Sequence, residues 1–232
     1  MTLHLSEGMI ARSFWHELHA SLVDARATEE AERILAQSRA IEERFPSRTG
    51  SMSLHSIKTI WLLAHYFQPS VIAEVGTYIG RSTLAMARGA KPSLGALFTS
   101  DMTFDCWSAP DAEDAAKIRY FGKTSSTDMF RALAGQTKVD MFLLDGRLQQ
   151  EDLSLIGSSR HDRSVFLIDD FEGVEKGVDN VLKLRAAFND LILLAPPSTL
   201  SGGWLSSLCM AVLLPSKLIQ LSRQQRLPLW MM

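Results

Sequence analysis

Residues 71–84 read Val71-Ile72-Ala73-Glu74-Val75-Gly76-Thr77-Tyr78-Ile79-Gly80-Arg81-Ser82-Thr83-Leu84, and the order of chemistry along this stretch decides the fold. A short apolar run without polar alternation is the pattern of a strand buried on both faces. Two glycines follow, where a backbone must turn tightly and approach its neighbours closely. The stretch then opens a helix. Strand, glycine turn and helix form the opening unit of a doubly wound α/β sheet, in which ligands bind beyond the carboxyl ends of the strands. The spacing Gly-x-x-x-Gly departs from the Gly-x-Gly-x-x-Gly of dinucleotide folds. Glu74 at the strand end would repel a phosphate, so the turn suits a cationic or hydroxyl-rich ligand.

Further short apolar runs follow at Ala96–Phe98, Met141–Leu144 and Val165–Ile168, alternating with helical stretches. That alternation predicts a parallel sheet with helices on both faces. Near the end, Leu191–Leu194 and Cys209–Leu214 are separated by Pro196, Pro197, Gly202 and Gly203, which predicts an antiparallel last excursion. Upstream, Phe14, Leu18, Leu22, Ala31, Ile34, Leu35, Ile41 and Phe45 form an apolar stripe of one or two amphipathic helices over residues 8 to 45. Another helix is expected from Ser53 to Phe67, stopped by Pro69.

Composition narrows the function. The chain has 232 residues and a formal net charge of −2, so it lacks the basic excess of a dedicated nucleic-acid binder. The same balance gives no attraction to an anionic membrane. The longest apolar run, Leu208–Leu214, is far below the roughly 18 residues of a bilayer span. No basic, then apolar, leader opens the chain, and Cys106 and Cys209 form no Cys-x-x-Cys pair. A reducing cytoplasmic location is the expectation. The apolar tail Leu227, Leu229, Trp230, Met231 and Met232 is expected to pack on the domain or on a second copy, and a homodimer is expected.

Asp101 ends the second strand, 25 residues after Gly76. An acid there accepts ribose hydroxyls in doubly wound folds; Asp105 competes for the role. Asp145 closes the run Met141–Leu144, and Asp169 with Asp170 closes Val165–Ile168. Three acids at one sheet edge repel one another unless a cation or protons intervene. All-oxygen ligation of this kind suits Mg²⁺ or another hard divalent ion. The alternative is that Asp169 caps the following helix and Asp145 contacts a cofactor alone.

Glu74 to Leu84 followed by Asp101 resembles the first two motifs of class I S-adenosylmethionine-dependent methyltransferases. The wording EVGTYIGRSTLAMA is most similar to the small-molecule O-methyltransferase branch, which includes catechol-type and antibiotic sugar O-methyltransferases. The resemblance spans about residues 52 to 214. It implies a Rossmann-like domain over 51–232, with a mostly parallel seven-stranded sheet and an antiparallel last strand. Residues 1–50 would be an N-terminal helical segment that caps the site or dimerises. The implied activity is methyl transfer from S-adenosylmethionine to an oxygen of a small molecule, with a divalent cation as possible assistant in the branch. Glu74, Gly76, Thr77, Tyr78, Gly80, Ser82 and Thr83 would surround the cofactor's amino-acid part. Asp101 would hold the ribose, Ser125 and Ser126 border the adenine, and Asp145 contact the cofactor. Asp145, Asp169 and His55 are the implied catalytic residues, and Asp145, Asp169 and Asp170 the implied metal ligands. The sequence departs from the branch at Asp145-Gly146-Arg147-Leu148, where Asp-Gly-Asp-His is usual, and at Asp170, where catechol-type enzymes have Asn. Arg147 is a candidate to replace part of a metal's charge or to bind an anionic acceptor. The competing readings are a metal-independent N-methyltransferase and a non-catalytic S-adenosylmethionine-binding protein.

Other motifs carry less. Gly122-Lys123-Thr124 lacks the earlier glycine of a phosphate loop, and His16 and His19 are three apart, one short of a zinc-protease helix. His161 is a general-base candidate by residue type but precedes its strand, at the end away from the expected site. Phe104, Trp107, Tyr120 and Phe121 are candidates to wall a ligand pocket.

Overall fold

Two amphipathic helices, α1 (Glu7–Ser21) and α2 (Ala25–Glu42), carry the N-terminal apolar stripe. Asp24 separates them: its carboxylate accepts from the backbone N–H groups of Arg26 and Ala27, which start α2. α3 (Leu54–Phe67) begins at a Ser53 cap, whose hydroxyl accepts from the Ser56 N–H, and ends at Gln68 in the left-handed region with φ 45°. Pro69 then prevents continuation. The computed structural model describes residues 7–43, 52–103, 110–172, 175–196 and 209–225. Phe45, Phe104, Asp105, Cys106, Trp107 and the tail from Leu227 lie outside them.

From there strands and helices alternate. β1 (Val71–Val75), α4 (Arg81–Gly89), β2 (Ala96–Asp101), α5 (Ala112–Ala115) and β3 (Ile118–Gly122) build one half. α6 (Ser126–Leu133), β4 (Val139–Leu144), α7 (Gln150–Ser159), β5 (Arg160–Ile168), α8 (Lys176–Ala187), β6 (Leu191–Leu194), β7 (Ala211–Pro215) and α9 (Ser216–Gln225) build the other. The strands form one sheet in the order β3-β2-β1-β4-β5-β7-β6. β7 runs antiparallel to both β5 and β6, and the remaining pairings are parallel. This is the mostly parallel, doubly wound, Rossmann-like α/β fold expected from the sequence. Among the described strands, β3 is the one without a matching uniform apolar run.

Alternate residues of each strand point to opposite faces. Ile72, Met141, Leu143, Val165 and Leu167 join the core shared with α1 to α4 and α9. Ala73, Phe142, Leu144, Phe166 and Ile168 join the core under α6, α7 and α8, where Phe142 and Phe166 stack with centroids 4.6 Å apart. Trp15 ties α1 to the far edge: it is fully buried, and its indole N–H donates to the Leu194 carbonyl of β6 at 3.0 Å. Among the described residues no helix is long and apolar enough to cross a membrane.

α3 and α4 meet where Gly89 lies on the backbone of Trp61; a Cβ at Gly89 would sit 2.4 Å from the Trp61 carbonyl oxygen. A Gly89→Ala substitution is therefore expected to separate the two helices and destabilise the protein by about 1–3 kcal/mol. Urea denaturation checks this. An unchanged midpoint would mean that the helices repack without strain.

Candidate functional site

The crossovers leave β1 in one direction through α4 and β4 in the other through α7, so the carboxyl ends of β1 and β4 form the topological switch point. The edge is held together by backbone hydrogen bonds. The Gly76 N–H donates to Ser100 O at 2.9 Å, Asp145 N–H to Val75 O at 2.9 Å, and Asp169 N–H to Leu144 O at 3.2 Å. Tyr78, Lys123 and Asp170 follow β1, β3 and β5 in the left-handed region, with φ 44°, 54° and 51°. Cys209, before the antiparallel β7, has φ 46° at the same edge. Strained backbone of this kind concentrates at functional sites.

At the glycine turn, Gly76 has φ +97° and a Cβ there would lie 3.1 Å from Asp145 Cβ, so β1 and the loop after β4 touch. Gly80, with φ 82°, opens α4. Glu74 is not among the residues lining the cavity or the recess at this edge. It is fully buried, and its two carboxylate oxygens accept from the hydroxyls of Ser82 and Thr83 on α4. Burial, opposed by these hydrogen bonds, pushes its pKa up to about 7. Thr77 is also buried, its hydroxyl bonded to that of Thr99 at 2.5 Å. The hydroxyls of Thr77, Ser82 and Thr83 thus serve the turn's own architecture. Thr77 and Ser82, with Met52 and Arg81, still border a small recess beside Gly76 and Tyr78.

The main cavity, about 610 Å³, opens over the switch point. Its walls include Gly76, Tyr78, Ser100, Asp101, Met102, Ser125, Ser126, Asp145, Arg147 and Lys176. That volume lies within the range of small-molecule and cofactor sites. Asp101 joins the turn to β2: one carboxylate oxygen accepts from the Tyr78 N–H at 2.6 Å, and the other from the Thr103 N–H and hydroxyl, both at 2.8 Å. Ser100 is buried on the cavity wall, and its hydroxyl has no hydrogen-bond partner among the described residues. A buried hydroxyl without a partner is costly. Ser125 caps α6, accepting from the Asp128 N–H, while the Ser126 hydroxyl donates to the buried Asp152 at 2.8 Å. Their side chains are committed to the frame, which leaves backbone edges for a ligand.

The acids after β4 and β5 do not assemble as a metal cage. Lys176, the first residue of α8, puts its ammonium between Asp145 Oδ1 at 2.7 Å and Asp170 Oδ2 at 3.0 Å. Among the described residues no group of three or more His, Cys, Asp or Glu side chains is arranged to hold a metal ion. The expected trio Asp145, Asp169 and Asp170 therefore does not fit a divalent ion as it stands. Asp169 is not among the residues lining the cavity, and burial, then its neighbours Asp145 and Asp170, raise its pKa well above its ordinary value. Burial likewise raises Asp145 to about 6, against the pull of Lys176. Burial works against the charge on Lys176, yet Asp145 and Asp170 hold its pKa above the ordinary value.

His55 is exposed on the first turn of α3 and lines neither cavity. His161 pairs with Asp140 at 2.8 Å near the amino end of β5, on the side away from the cavity. His16 and His19 are exposed on α1. Phe121 packs on Phe98, with ring centroids 6.5 Å apart. The main additions to the expected site are Ser100, Met102, Gln149 and Lys176. Lys176 had a legible signal: with Asn180 and Lys183 it forms an i, i+4, i+7 polar face.

Solved structures share this fold. The O-methyltransferase TomG of Streptomyces achromogenes, involved in tomaymycin synthesis and solved with SAM, is 19% identical with TM-score 0.56, covering 91% of this chain and 99% of its own. An SAH-bound methyltransferase of Podospora anserina, PaMTH1, is 14% identical with TM-score 0.54, covering 93% and 99%. An O-methyltransferase of Bacillus cereus in complex with SAH is 15% identical with TM-score 0.53, covering 86% and 98%. At such identities the likeness establishes the fold. No protein-family model and no curated protein matches the chain.

The buried Glu74 carboxyl has a consequence for pH. Its pKa is near 4.5 when unfolded and about 7 when folded, so between those values the unfolded chain has released a proton that the folded one retains. Stability is then lost as pH rises through this window and levels off above it. In Glu74→Gln that loss, on the order of 3 kcal/mol, should disappear. Thermal melts of both proteins from pH 4.5 to 7 check this; parallel profiles would refute the assignment.

Proposed function

We propose that the main cavity binds S-adenosylmethionine and that the protein transfers its methyl group to an oxygen of a small-molecule acceptor. The observation that carries this reading is the coincidence, at the switch point, of a 610 Å³ cavity and the Asp101 carboxylate on its wall. A nucleoside with vicinal hydroxyls would meet that carboxylate. Asp101 already accepts three hydrogen bonds, out of about four lone-pair sites. Binding both ribose hydroxyls would therefore require the Thr103 hydroxyl to turn away. The likeness to SAM- and SAH-bound methyltransferases of the same fold supports the adenosyl reading.

In the proposed reaction the acceptor oxygen attacks the sulfonium methyl carbon, an O–C bond forms and the S–C bond breaks. The electron pair returns to sulfur, leaving neutral S-adenosylhomocysteine. The hydroxyl proton passes to Asp145, which lines the cavity and is largely ionised at neutral pH. The protein's contribution is to hold oxygen, carbon and sulfur in line and to exclude water. Acidic groups at the edge favour the cationic sulfonium, while Arg147 and Lys176 favour an acceptor oxygen carrying negative charge. No step is assigned to a metal, because the ammonium of Lys176 occupies the ground between Asp145 and Asp170.

Calorimetric titration with S-adenosylmethionine tests the reading. Wild-type protein should bind, and Asp101→Ala should bind about ten- to a hundredfold more weakly, since a hydrogen bond to a charged acceptor is worth about 1.5–3 kcal/mol. Equal affinities in the two proteins, or no binding by wild type, would contradict it.

A further inference from the structure

Resting on the methyl-transfer reading of the cavity, we propose that Lys176 is the resident cation of this site, filling with its ammonium the place between Asp145 and Asp170 that a divalent ion would take. An ammonium has three N–H donors. Two are directed at Asp145 and Asp170, at 2.7 and 3.0 Å. Lys176 also lines the cavity, which leaves its third donor for an acceptor oxygen that carries or develops negative charge. The separations are hydrogen-bond lengths, longer than the roughly 2.0–2.1 Å at which Mg²⁺ holds its oxygens. Ion and ammonium cannot share this space, because like charges a few ångströms apart repel strongly away from bulk water.

The lysine is also mounted to stay. Its neighbour Gly177 is pressed on the turn after β5: a Cβ there would lie 2.2 Å from the Asp169 carbonyl oxygen and 2.6 Å from that of Asp170. Only glycine lets α8 begin so close to the acids. One turn further on, Asn180 accepts from the Leu148 N–H at 3.0 Å and donates to Gly146 O at 2.8 Å. The Lys183 ammonium donates to Leu148 O at 2.8 Å. The helix face that carries Lys176 thus grips the loop that carries Asp145. The ion pair is built into the contact between α8 and the β4 loop, and is not a chance meeting of surface side chains. An acceptor oxygen would then be positioned by a fixed N–H donor, and methyl transfer would proceed in the presence of a chelator.

Mn²⁺ titration of the full chain, followed by electron paramagnetic resonance, tests the proposal on wild type, Lys176→Arg and Lys176→Met. Wild type and Lys176→Arg should leave the free-ion signal unchanged. Lys176→Met, which keeps the length and removes the charge, should acquire one saturable site, at least about tenfold tighter than any wild-type binding, because uncompensated carboxylates attract a hard cation. Saturable one-site binding by wild type would overturn the proposal whether or not a variant folds. A folded Lys176→Met with no gain in Mn²⁺ affinity would overturn it too. S-adenosylhomocysteine calorimetry on the same wild-type sample separates the two levels. Absent nucleoside binding removes the methyl-transfer reading, whereas the Mn²⁺ result reports on the lysine alone.

Discussion

The chain reverses its crossover direction between β1 and β4, and that reversal governs what the rest of the molecule can do. α4 leaves β1 toward the core of α1 to α4, whereas α6 and α7, which flank β4 in sequence, pack in the opposite core. No crossover helix can then cover the carboxyl ends of β1 and β4, and a crevice remains between them. Gly76 permits the two ends to touch without a side chain between them, so the crevice has a floor of backbone. The cavity follows from topology plus one missing Cβ.

What fills the rim of that crevice is charge, arranged at some local cost. Glu74 is buried and titrates near 7, Asp145 near 6, and four non-glycine residues adopt left-handed backbone along the edge. Such features oppose folding individually and persist because the two cores on either face of the sheet over-determine them. Division of labour is visible among the acids. Glu74 braces the glycine turn through Ser82 and Thr83, Asp101 ties that turn to β2, and Asp145 with Asp170 holds the ammonium of Lys176.

Much of this was legible in the sequence wherever a residue acts through its immediate neighbours. The Ser53 cap, the stop at Pro69, and the uniform apolar runs of β1, β4 and β5 each announce themselves locally. β3 is less visible because it lies at the sheet edge, with β2 as its single partner and mostly half-buried side chains, so it needs no continuous apolar run. Long-range pairing hid the rest. Ser82 and Thr83 follow the glycine turn just where cofactor contacts are expected, and nothing in one dimension reveals that their hydroxyls turn inward to Glu74. Lys176 belongs to the acids only because α8 folds back over the β4 loop, 31 residues away from Asp145 in sequence. The spacing of Lys176, Asn180 and Lys183 marks a polar helix face, but its meaning depends on the loop lying beneath it.

On the proposed reading, the crevice at the β1/β4 switch point is the nucleoside site. Amide hydrogen exchange with and without S-adenosylhomocysteine tests it most directly, since bound ligand slows exchange where it contacts or orders backbone. Slowed exchange concentrated at residues 76–80, 100–103, 124–126 and 145–149 is the predicted result. Exchange unaltered there, or slowed instead around a hollow lined by Asp140 and His161 at the opposite edge, would contradict it.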